Sequence, residues 1–314
     1  MNKDRRLFLN QVSVLAGIAA FGKPMASAAS ITKSINTLYA GGHGLTVFST
    51  NDLHGKLNPI SSDLGGLMQI KKLIKKQETS GPLFDAGDFF DARQSLSAKK
   101  GMICAMNDAG YHAVTPGYNE LAQGQDYLAA LAPLMNFSMV NCNYEFNNTL
   151  RKFIKPYIVI NSGRYKIGVT GVGQHLKGIK YNDAIRCANS AAKFLKGQEK
   201  CDLVICLSHL GHTQPGNMPD TRKLAAQSGH IDMIVSGRNR QILAGPRVLL
   251  NKLKNEVLVT QAAWDGLMLS KTVFRFESDK RTLVQAEYFI AGQPRGQTFW
   301  KTYSGLREMT KQAV

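Results

Sequence analysis

Val47-Phe48-Ser49-Thr50-Asn51-Asp52-Leu53-His54-Gly55 is the stretch that decides the fold. Its first half closes an apolar run, 45–48, with the composition of a buried strand. Its second half is polar, ends in glycine, and sets a carboxylate and an imidazole two residues apart in the loop after that strand. The same arrangement recurs further along. Pro82-Leu83-Phe84 is a second strand run and stops at Asp85-Ala86-Gly87-Asp88. His112-Ala113-Val114-Thr115 leads through Pro116-Gly117 to Tyr118, Asn119 and Glu120. Residues 202–208 form an apolar run followed by His209-Leu210-Gly211, and 231–236 form another that ends at Gly237-Arg238-Asn239-Arg240.

Helical patterns fall between these runs. Leu67, Ile70, Leu73 and Ile74 are spaced as one face of a helix over 64–78, with Lys71, Lys72, Lys75 and Lys76 on its wet face. Helices are also expected over 99–109 and 121–132, and strands over 137–141 and 165–172. From 256 to 277 and from 282 to 290 the pattern alternates with period two, as antiparallel strands do. The class is therefore α/β: two sheets flanked by helices. In such sheets, sites form beyond the carboxyl ends of the strands. A lone aspartate or histidine there is ordinarily a cap or a core residue. Asp52, His54, Asp88, Asn119, Glu120 and His209, all at strand ends, together point to divalent-metal chemistry.

The 314 residues, 44% hydrophobic and 19% charged, suit one large domain or two small ones with a sizeable core. The net charge of +17 favours anionic partners. No aromatic residues interleave with the basic clusters, so the charge does not describe a nucleic-acid groove. Arg5-Arg6-Leu7-Phe8-Leu9 opens a twin-arginine-type leader, with a weakly apolar run over 12–21 and Ala26-Ser27-Ala28 as its cleavage signal. The expected organisation is a signal peptide at 1–28, a linker at 29–40, a domain at 41–292 and a polar tail at 293–314. The expected destination is the periplasm, with no membrane span in the mature chain. Cys104, Cys142, Cys187, Cys201 and Cys206 are odd in number and lack C-x-x-C spacing, which speaks against a disulfide framework or a zinc ribbon.

The ordered blocks resemble the 5′-nucleotidase family of metallophosphoesterases. Residues 47–55 resemble its opening D-x-H block, 84–88 its G-D block, 110–117 the approach to its G-N-H-E block, 207–211 its histidine block, 232–237 the approach to its G-H-x-H block, and 261–266 a segment near the end of its catalytic domain. The resemblance covers about 44–290. It implies a four-layer α/β/β/α sandwich of the metallophosphoesterase type, a di-metal centre of zinc or manganese, and hydrolysis of phosphomonoesters or nucleotides. Asp52, His54, Asp88 and His209 match its metal ligands.

Several positions depart from that pattern. Tyr118 stands where the family has a ligating asparagine, and Asn119 where it has the catalytic histidine. Ala122 replaces the aspartate that orients that histidine, and Arg238 and Arg240 replace two histidine ligands. A guanidinium does not deprotonate and is not a metal ligand. The chemistry therefore favours a depleted site: a pseudoenzyme in which Arg238, Arg240 and Asn119 bind a phosphorylated small molecule or nucleotide. In that reading the arginines also pair with Asp52 and Asp88 in place of the missing cations. An active phosphoesterase with a reshaped metal site stays open beside it. Two-domain family members carry a C-terminal nucleoside-binding domain; with little length after residue 292, the expectation is that a separate partner chain supplies it or that the substrate need not be a nucleotide.

Overall fold

The computed structural model describes residues 44–60, 63–243, 245–277, 280–292 and 304–305. The expected leader, the linker and nearly all of the tail lie outside the described residues. The strands, in chain order, are β1 (Gly44–Thr50), β2 (Leu83–Asp85), β3 (Tyr111–Val114), β4 (Ser138–Val140), β5 (Tyr144–Glu145), β6 (Ile154–Lys155), β7 (Tyr157–Ser162) and β8 (Tyr165–Gly173). They continue with β9 (Lys180–Tyr181), β10 (Leu203–His209), β11 (Met233–Ser236), β12 (Arg247–Leu250), β13 (Glu256–Thr260), β14 (Met268–Glu277) and β15 (Lys280–Ile290). Six helices accompany them among the described residues: α1 (Leu67–Lys76), α2 (Leu96–Ala109), α3 (Tyr118–Leu121), α4 (Gln125–Leu131), α5 (Ala184–Gly197) and α6 (Thr221–Gln227).

Two sheets carry the fold. The first runs β15-β14-β1-β2-β3-β4-β6 and the second β12-β13-β11-β10-β8-β7. Strands β1 to β4 are parallel neighbours, as are β8, β10, β11 and β13, so the carboxyl ends within each set point the same way. Three apolar layers separate four layers of structure. Leu67, Ile70, Met102 and Leu128 pack helices against the first sheet. Val47, Phe84, Ile205 and Val235 fill the space between the sheets. Ala188, Leu195, Cys206 and Leu224 seat helices on the second sheet. Each large aliphatic side chain in these layers contributes roughly 1.5–3 kcal/mol by leaving water. This is the α/β/β/α sandwich expected above.

Local chemistry sets the boundaries. Ser95, Asp183 and Asp220 cap α2, α5 and α6 by accepting from backbone N–H groups of the first turn. Gly110, at φ 83°, ends α2 in the left-handed region. The single helix expected over 121–132 is two helices, α3 and α4. Gly124, at φ 93°, breaks the chain between them. Strands β7 and β12 had no counterpart in the sequence reading. The five cysteines are free thiols; Cys104 is exposed, Cys142 is half-buried and the other three are buried. No described helix is long and apolar enough to cross a membrane.

Candidate metal and phosphate site

Strand β1 delivers Asp52 and His54 to the rim of a cavity of about 540 Å³, and β2 delivers Asp88. Seven of the nine sequence-predicted residues line it: Asp52, His54, Asp88, Tyr118, Asn119, Arg238 and Arg240. The other two, His209 and Glu120, are buried, at 1% and 2% exposure. Asp91, Ala92, Arg93, Asn239 and Trp264 complete the wall. One potential ligand atom from each of Asp52, His54 and Asp88 falls within 4.8 Å of the other two. Asp52, His54, Asp88, Arg238 and Asp265 all have φ between 45° and 60°. For residues other than glycine that conformation is uncommon, and its concentration at one place marks a backbone bent for function.

The two imidazoles are each tied by one nitrogen. His54 Nδ1 lies 2.7 Å from Asp265 Oδ1, and His209 Nδ1 lies 2.8 Å from the carbonyl of Ala86. In the neutral form with Nδ1 as the donor, each Nε2 would offer its lone pair to a cation in place of a proton. His209 Nε2 is buried without a hydrogen-bond partner and sits 3.4 Å from Asp88 Oδ2. Glycines make room here: a Cβ on Gly117 would collide with Asp88 Oδ1 and lie 2.8 Å from His209 Nε2, and one on Gly237 would lie 2.8 Å from Ala86 O. Two carboxylates and two imidazoles with oriented nitrogens, one of them orphaned in the interior, fit a divalent cation.

Electrostatics agree with a site short of positive charge. Burial raises the Asp52 carboxyl above its ordinary value, against the pull of His209. Burial also opposes ionisation of Asp88, but His209 and the N–H of Asn119 outweigh it and lower that pKa. His209 is pushed up to about 9, because Asp88 and Asp52 overcome the cost of burying its cation. Asp265 does the same for His54 against desolvation.

Three residues act differently from the sequence expectation. Glu120 is not aimed at a metal. Its carboxylate is buried and accepts from the backbone N–H groups of Asp88 (2.9 Å), Gly117 (2.8 Å) and Phe90 (2.8 Å). It is a clamp on the loop that carries Asp88. The arginines do not pair with the carboxylates through their side chains; both residues are exposed, and no ion pair joins either to Asp52 or Asp88. The backbone N–H of Arg238 donates to both Asp52 oxygens instead, at 3.0 and 2.8 Å. Asn119 donates its N–H to Asp88 Oδ1 (2.8 Å) and its Nδ2 to Phe90 O (3.0 Å). Tyr118 is 54% exposed at the cavity mouth. Asp265, which orients His54, was noted only as part of a matching segment; its distance of 211 residues along the chain hid the role.

No protein-family model matches the chain. The solved 5′-nucleotidase precursor from Thermus thermophilus superposes with a TM-score of 0.69, at 21% identity, over 86% of this chain and 59% of that one. The fold is that of the 5′-nucleotidase N-terminal domain. The calcineurin-like phosphoesterase YfkN of Bacillus subtilis shares the fold over 86% of this chain and 97% of that chain, with a TM-score of 0.62 and 18% identity. In sequence, a 5′-nucleotidase of Vibrio cholerae serotype O1 is 25% identical over 277 residues, covering 76% of this chain and 50% of that protein. The homologues are thus 5′-nucleotidases and calcineurin-like phosphoesterases, and the chain spans half or less of the length of the first curated relatives it matches.

Proposed function

We propose that this protein binds phosphate esters of small molecules, nucleotides among them, over a single divalent cation, and does not hydrolyse them at enzymatic rates. Asn119 carries the reading. It stands where the resemblance places the proton-handling histidine, and its amide is committed to Phe90 O. An amide neither gives nor takes a proton at neutral pH, so general acid catalysis from that position is lost. Asp52, His54 and Asp88 would hold zinc or manganese, with His209 behind Asp88. A bound cation would polarise a phosphoryl oxygen. Arg238 and Arg240, free of ion pairs to the site carboxylates, supply the guanidinium forks that suit a phosphate. In this reading Tyr118 and Arg238 leave the second cation of a di-metal centre only Asp88 and His209, and Arg240 takes one ligand from the first.

The three clustered donors Asp52, His54 and Asp88 favour a second reading, an active phosphoesterase with a reshaped site. One experiment separates the two. Metal content is measured on the purified protein, inorganic phosphate is titrated with manganese present, and turnover of p-nitrophenyl phosphate and AMP is compared with Asp88→Ala. Metal and phosphate binding without turnover above the variant supports the proposal. Turnover that vanishes in Asp88→Ala overturns it in favour of the second reading. We propose in addition that residues 1–28 direct twin-arginine export to the periplasm. Substituting Lys for Arg5 and Arg6 and finding the protein still periplasmic would refute the export route.

A further inference from the structure

Lys99 breaks three rules at once. It sits in the first turn of α2, just past the Ser95 cap, where the helix dipole disfavours a cation. Its side chain is 1% exposed, although lysine is almost never fully buried. Among the described residues, its ammonium has three donors and one hydrogen-bond acceptor, the carbonyl of Ala92 at 3.2 Å. The remaining directions face aromatic rings, with the Tyr127 centroid at 4.9 Å and that of Phe90 at 5.9 Å. The buried carboxylate of Glu120 and that of Asp91 provide the opposing charge. Local rules broken without a gain in the core point to a role elsewhere.

That role lies in what the ammonium holds. Ala92 sits between Asp91 and Arg93, and all three form the cavity wall. The segment is fastened at alternate residues. Glu120 takes the N–H groups of Asp88 and Phe90, Asn119 takes the Phe90 carbonyl, and Lys99 takes the Ala92 carbonyl together with Gln123 Nε2 at 3.0 Å. Lys99 is thus the charged fastening farthest along the strap from Asp88. Arg93, next to it, is 91% exposed and directed only by its backbone and by Asp91.

We propose that Lys99 is a positioning residue: it fixes the 91–93 wall over the cavity and thereby sets the affinity for a phosphate group without touching it. This rests on the phosphate-binding reading above. The test compares wild type with Lys99→Met, which keeps the volume and removes the ammonium. Isothermal titration gives the Kd for inorganic phosphate with manganese present and the Kd for manganese alone. Hydrogen exchange follows the peptide covering 89–94. The expected result is weakening of phosphate binding by about tenfold or more, the worth of one charged hydrogen bond. Exchange at 89–94 speeds up, and manganese affinity changes far less. Equal loss of both affinities would mark Lys99 as a general stabiliser and overturn the proposal, as would wild-type phosphate binding in the variant. Should Lys99→Met fail to fold, Gln123→Ala removes the other donor to Ala92 from the surface. Unchanged phosphate affinity and exchange in that variant overturn the proposal equally. A wild type that binds no phosphate removes the functional reading itself, and the proposal with it.

Discussion

Replacing Glu120 by glutamine tests the clamp on the Asp88 loop with one atom changed. The carboxylate accepts three backbone N–H groups, two on Oε2 and one on Oε1. A glutamine can place its oxygen where Oε2 was and keep two of them. Its NH₂ group then faces the Phe90 N–H, donor to donor, and leaves that buried group unsatisfied at a cost of about 1–3 kcal/mol. The two retained bonds lose their ionic character, for roughly another 1 kcal/mol each. Against this stands the relief of a buried charge: burial and Asp88 both raise the Glu120 pKa. We expect a net loss of about 3 kcal/mol, which for a domain of this size lowers Tm by roughly 6–12 °C. The assay is urea and thermal denaturation at pH 9, above the value of about 8 to which burial and Asp88 raise Glu120, with Glu120→Ala, which strands all three N–H groups, as the more damaging reference. A glutamine variant as stable as wild type would refute the reasoning. It would mean that the native side chain is already protonated and that the three contacts are not anion-based.

Other outcomes follow from single contacts. Asp265→Asn weakens the hold on His54 Nδ1 and should lower cation affinity by about 10–100-fold, read by competition with a fluorescent chelator. Gly117→Ala puts a methyl group into Asp88 Oδ1 and His209 Nε2; cation binding should be lost, with a stability cost of about 1–3 kcal/mol in denaturant titration. His112 is buried, accepts from Leu83 N, and is held down to about 4 chiefly by desolvation. The unfolded chain therefore takes up this proton first as pH falls below the usual histidine range, and stability is lost from there down to about pH 4. His112→Gln should recover roughly 2–3 kcal/mol at pH 4.5 relative to neutral pH, as the shift in urea midpoints. Asp85, raised to about 7 by burial, works in the opposite direction over much of the same range, so the comparison needs the variant and not the wild-type curve alone.

The layers of the fold were legible because burial writes a period into the sequence. Leu67, Ile70 and Ile74 face the core as their spacing says, and each polar block after a strand run marks a carboxyl end. Seven of the nine predicted site residues share one cavity for the same reason. What the sequence hid was direction. Glu120 reads as a ligand among ligands, yet its oxygens turn inward to backbone N–H groups. Arg238 reads as a guanidinium, yet it holds Asp52 through its main chain. Lys99 reads as one of a pair of helix lysines, since charge alone does not tell the wet side of a short pattern from the dry one. The two-residue strand β6 and the edge strand β12 left no alternation long enough to detect.

The bond between His54 and Asp265 joins positions 211 residues apart, and β1 pairs on one side with β2 and on the other with β14. During synthesis the three clustered donors Asp52, His54 and Asp88 therefore appear early, while the group that orients His54 and the strand that flanks β1 arrive near the end. Until residue 265 has emerged, His54 lacks the carboxylate that orients its ring, and β1 lacks its β14 neighbour. In the proposed reading, the cation site is complete only once the segment that carries Asp265 and β14 has joined β1.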